Sequence, residues 1–164
     1  MEQFKRYNMN AEEDKIKSLE ILVNATRDKV DYLLNADNGL DAKAGVMIAL
    51  ELGISTFYIQ SINHIYYGIS FTPIVILGFS IYLLWKVLNI KTYNTGVVDF
   101  YNDPKDYLLM KSDVLLEQLL SDYQEAYDKN SRNLESKNKD YKRALKLFLV
   151  GFILLTVLIL IYGK

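Results

Sequence analysis

The sequence predicts an all-α membrane protein with three transmembrane helices and a cytoplasmic helical stalk. Three observations carry this: two long segments almost without charge, a one-sided distribution of basic residues, and a sustained heptad-like seam leading into the last apolar segment. Over all 164 residues, 51% hydrophobic and 24% charged would suit a soluble domain. The two classes are segregated, however. The 42 residues between Lys43 and Lys86 hold one charge, Glu51, and Leu147 to Tyr162 holds none. A soluble core helix has no reason to be apolar on every face for so long.

A span needs roughly 20 residues at about 1.5 Å of rise each. The first apolar stretch is therefore too long for one crossing and suits a hairpin over 44–90, with spans at about 44–62 and 71–88. Its turn is placed at Asn63 to Gly68, the most polar and aromatic part. The third span and its short tail occupy 145–164, with Lys146 snorkelling toward the headgroups.

Eighteen of the nineteen basic residues lie up to the start of the first span, or from the end of the second to the start of the third; Lys164 lies beyond. The positive-inside rule then puts the N-terminus and the long middle segment in the cytoplasm, and the hairpin turn and C-terminus outside. Trp85, Tyr66, Tyr67 and Tyr162 fall at the expected interfaces. The first thirty residues lack an apolar signal-peptide core, so the internal spans are expected to direct insertion.

Within 1–43, residues 11–34 read as an amphipathic helix, with Ile16, Leu19, Val23, Thr26, Val30 and Leu33 at spacings of three and four. Asn38-Gly39 predicts a helix stop before the membrane. The 91–144 segment opens with a loop over Lys91–Pro104. From Leu116 the series Leu120, Tyr123, Tyr127, Asn130, Leu134, Lys137, Tyr141, Ala144 and Phe148 keeps a four-three alternation. That is a coiled-coil-like seam running into the third span without proline or glycine. It serves either an assembly rod or a packed bundle, in which the first helix would lie parallel to it.

Residues 99–128 carry eight acids against two lysines, and 129–146 carries seven basic residues against Glu135 and Asp140. The basic end adjoins the membrane, as the positive-inside rule requires. The near-neutral cytoplasmic part argues against nucleic-acid binding.

Chemistry is sparse. Cysteine is absent, which removes disulfides and thiolate metal sites, and the single histidine, His64, has no ligating neighbours. No P-loop, GxGxxG, HExxH or GxSxG motif occurs. A non-enzymatic protein with no metal and no catalytic residue is expected. Glu51 is the exception to the quiet, because a carboxylate within a span is costly and faces a bundle interior, a wet cavity or a partner. Ser55, Thr56, Gln60 and Asn63 are expected to continue it as one polar stripe. Two readings stand: the stripe lines a subunit contact or wet path, or Glu51 is a neutral, hydrogen-bonded structural residue.

At Asp41-Ala42-Lys43-Ala44-Gly45 the chain resembles the transmembrane effectors of Pycsar and SLATT-type bacterial anti-phage defence. The later run of Tyr127, Asn130, Lys137, Tyr141, Arg143 and Ala144 extends that resemblance, while Gly45 and Glu51 depart from it. The resemblance implies a bacterial inner-membrane effector that oligomerises, senses a cyclic nucleotide made by a partner cyclase, and impairs the lipid bilayer. No other cofactor is implied. A scaffold or accessory subunit of a membrane complex, or a small holin or channel, are the alternatives.

Overall fold

The computed structural model describes residues 2–61, 71–89, 94–95 and 110–162, with side chains for those between 12 and 161. The expected hairpin turn with Asn63, His64, Tyr66 and Tyr67, nearly all of the 91–104 loop, and Lys164 lie outside the described residues. Three helices follow in order: α1, Glu2–Ser61; α2, Thr72–Asn89; and α3, Ser112–Tyr162. Among the described residues there is no strand, so the all-α class holds. Each helix contains a segment long and apolar enough to cross a membrane.

α1 and α3 contain 60 and 51 residues, far more than a crossing needs. Each contributes to two compact units, one made of Met1–Ala36 and Thr92–Asn133, the other of Asp37–Lys91 and Leu134–Lys164.

In the first unit, the predicted stripe of α1 faces inward: Val23, Val30 and Leu33 are buried, and Ile16, Leu19 and Thr26 partly so. Lys15 reaches α3, with Nζ 2.9 Å from Glu117 and 3.6 Å from Asp113. The seam of α3 is accurate throughout. None of its members from Leu116 to Phe148 is exposed, whereas Ser121 and Ser136 are. Ala126 and Asp140 are buried beside it, so the packed face is broader than a two-position seam.

The second unit is a three-helix bundle. Ala44, Leu84, Val87 and Ala144 form one buried cluster, and Tyr58, Leu77 and Leu155 another. Moving from Ala44 to Tyr58 on α1 goes with Ala144 to Leu155 on α3, but with Leu84 back to Leu77 on α2. α1 and α3 are therefore parallel, and α2 is antiparallel to both. At Gly151 the helices come so close that an added Cβ would lie 2.9 Å from Leu77 Cδ2. Glycine permits this approach, as small residues do in membrane helix packing.

The expected stop at Asn38-Gly39 does not occur, because α1 passes through it. A glycine within a helix costs about 1 kcal/mol relative to alanine, and here tertiary contacts outweigh it. Asp37 and Asp41 lie one turn apart on either side of Gly39, and both engage Lys137 of α3. The local breaker is bridged from outside.

Candidate functional site: polar layers in an apolar bundle

The second unit contains two groups of buried polar side chains, each assembled from separate helices. The first is ionic. Lys137 has only 1% of its side chain exposed, with Nζ 2.7 Å from Asp37 Oδ1 and 2.9 Å from Asp41 Oδ1. On the same helix, one turn on, Asp140 is 5% exposed and faces Lys86 of α2 at 2.8 Å, with Arg143 at 3.4 Å. The Lys86–Asp140 contact brings opposite charges together without the alignment of a hydrogen bond. Three cations and three carboxylates thus balance, with Lys137, Asp37 and Asp140 buried and Lys86 and Arg143 reaching in from the exposed side. Pairing is what makes the burial of those three tolerable, because an isolated buried ion would cost on the order of several kcal/mol.

The second group lies deeper in the apolar segment. Glu51 is fully buried, and its Oε1 is 2.7 Å from Ser80 Oγ of α2. Ser80 Oγ also lies 2.9 Å from the Ala144 carbonyl oxygen of α3. One residue from each helix therefore meets at a single point. Glu51 Oε2 is buried with no hydrogen-bond partner.

The expected polar stripe along α1 is not one face. Ser55 is partly buried on the side of Glu51, but Thr56 and Gln60 are exposed. At about 100° per residue, nine residues bring Gln60 to the opposite side of the helix from Glu51. The Thr56 hydroxyl is satisfied by the Leu52 carbonyl of its own helix at 2.8 Å, as commonly happens for threonine in apolar helices. The inward face of α1 after Glu51 instead carries Ser55, partly buried, and Tyr58, buried, at spacings of four and three.

The residues of the family resemblance are spread over both units. Asp41 and Arg143 join the ionic group, and Ala44 is core. Lys43 is exposed, while Tyr127 and Tyr141 are partly buried. Asn130, in the first unit, is buried and grips the backbone of Asn94. It accepts from Asn94 N at 3.0 Å and donates to Asn94 O at 2.8 Å. An asparagine side chain has both a donor and an acceptor, which suits it to hold a non-helical segment this way. The sequence did not single out Ser80, Lys86, Asp37 or Asn94. Among the described residues there is no group of His, Cys, Asp and Glu able to hold a metal.

No protein-family model, curated protein or solved structure matches this chain.

Proposed function

We propose that this chain is a non-enzymatic effector of the bacterial inner membrane that perturbs the bilayer when its polar unit receives a signal. The observation that carries this reading is the ionic group of Lys137, Asp37 and Asp41 on two helices that run without a break from polar into apolar sequence. Buried ion pairs contribute little net stability over an apolar core of the same shape, but they disfavour every arrangement in which one partner is left alone. Parting such a helix pair leaves buried charges alone, so a signal that offers those charges other partners would act as a switch.

The one-sided basic residues favour a cytoplasmic N-terminus and middle segment, with the C-terminus outside. The resemblance at Asp41–Gly45 and Tyr127–Ala144 supports an anti-phage role, a homo-oligomer, and a cyclic nucleotide from a partner cyclase as the signal. It has no support from a phosphate-binding motif, so the signal site would be built from scattered Lys, Arg and Tyr. A scaffold role in a larger membrane complex is the competing reading.

The test is induced expression of the full chain in bacteria, with and without a co-expressed nucleotide cyclase, while membrane potential is followed by a dye. Depolarisation dependent on the cyclase supports the proposal. An unchanged potential at confirmed membrane abundance, with every cyclase tried, favours the scaffold.

A further inference from the structure

The hydrogen-bond geometry around Ser80 points to an intramembrane proton-binding site. Its hydroxyl oxygen lies within bonding distance of two acceptors, Glu51 Oε1 at 2.7 Å and the Ala144 carbonyl at 2.9 Å. A serine hydroxyl has one proton to give and two lone pairs with which to receive. If Glu51 were a carboxylate, Ser80 would satisfy only one of these oxygens and would face the other across an empty, repulsive contact. The count closes when the missing proton is on Glu51.

We infer that Glu51 holds a proton in the folded bundle, donates it to Ser80 Oγ, and so leaves the Ser80 proton for the Ala144 carbonyl. The chain of bonds runs from α1 through α2 to α3. The lone Glu51 Oε2 agrees with this arrangement, since a neutral acid's second oxygen without a partner costs far less than half of a buried charge. On the three packed segments the nearest charged residues along the chain are Lys43 on α1, Lys86 on α2, and Asp140, Arg143 and Lys146 on α3. Among the described residues, no ion pair joins any of these to Glu51.

The site's ligand is thus H⁺, and its removal has a structural consequence. With Glu51 ionised, Ser80 aims its hydroxyl proton at the carboxylate and away from the Ala144 carbonyl, and an unneutralised charge is buried where these three helices meet. Separation of α2 from α1 and α3, with entry of water, relieves that charge. Release of the proton is therefore coupled to opening of the bundle. This holds whether or not the chain depolarises membranes, so it stands apart from the proposed effector role.

The test is infrared spectroscopy of the purified full-length protein in lipid nanodiscs. The wild-type minus Glu51→Gln difference at neutral pH should show a carboxylic-acid carbonyl band belonging to the wild type. Loss of carboxylate bands instead would overturn the inference. In Ser80→Ala, which keeps the acid but removes its acceptor, that band should move to the position of a free acid. An unmoved band overturns the bonding order. Thermal melting of the wild type should fall more steeply as pH rises than that of Glu51→Gln, which keeps a donor toward Ser80. Equal pH dependence in the two proteins would refute the coupling to opening.

Discussion

Replacing Lys137 by methionine tests the ionic group with little change of side-chain length. The wild-type ammonium sits 2.7 and 2.9 Å from Asp37 and Asp41, whose side chains are 7% and 31% exposed. Its removal leaves two carboxylates one turn apart on the same face of α1. At about 6 Å and an effective dielectric of 20, their repulsion is roughly 3 kcal/mol. Breaking a buried pair by removing one partner costs about 3–5 kcal/mol by precedent, much of it from the charge left behind. For a chain of this length, 1 kcal/mol corresponds to about 2–4 °C, so the melting temperature should fall by roughly 6–20 °C. The assay is thermal unfolding in nanodiscs followed by circular dichroism. Adding Asp37→Asn and Asp41→Asn to Lys137→Met removes the stranded charges while keeping shape, and should recover more than half of the loss. A Lys137→Met melt close to that of the wild type, or a triple variant no better than the single one, would show that charge pairing is not what holds these helices.

Gly151→Ala should lower stability by about 1–3 kcal/mol through overpacking, because its Cβ would sit 2.9 and 3.1 Å from Leu77. Gly53→Ala, with open space around it, should melt at or somewhat above the wild type because alanine suits a helix better, and an equal fall in both variants would refute the close contact. Replacing both Leu120 and Leu134 by aspartate should disrupt the packing of α3, whereas aspartate at the exposed Ser121 and Ser136 should be tolerated. Indistinguishable melting and expression of the two double variants would mean the seam is not a packing surface.

The spans and seam were legible because they rest on many residues acting alike. Uncharged length fixes a crossing, and ten positions in a four-three rhythm fix a face, so no single residue decides either. The failures came where one residue's local preference met a distant partner. Asn38-Gly39 reads as a stop until Lys137, about a hundred positions away in sequence, ties Asp37 to Asp41 across it. The stripe from Glu51 failed for a simpler reason. Spacings of four and five do not add to whole turns, and Gln60 ends opposite its start. A carboxylate within a span calls for a partner, and the sequence alone does not name Ser80 as that partner. One signal was present: in a hairpin, Glu51 lies eight residues past Lys43 and Ser80 six before Lys86, which puts them at similar depth. Ala144 left no such trace, because it contributes only a backbone oxygen.

The placement of these contacts bears on why the bundle has one register. In lipid the helices gain little from hiding apolar surface, since the surroundings are as apolar as the side chains. Leucine against leucine would let α2 slide past α1 and α3 at small cost. A shift of one turn along α2 would carry Ser80 away from both Glu51 and the Ala144 carbonyl, move Lys86 off Asp140, and press Leu77 against a residue larger than Gly151. Each of these errors costs on the order of 1 kcal/mol or more. They fall together because Leu77, Ser80 and Lys86 are carried by one helix, so a shift displaces all three at once. Register in this unit is therefore set by a few polar atoms and one glycine, while the apolar majority decides only that the segments enter the membrane. Glu51 is one of these few polar groups, so the carboxyl inferred to carry a proton also takes part in fixing the alignment of α2.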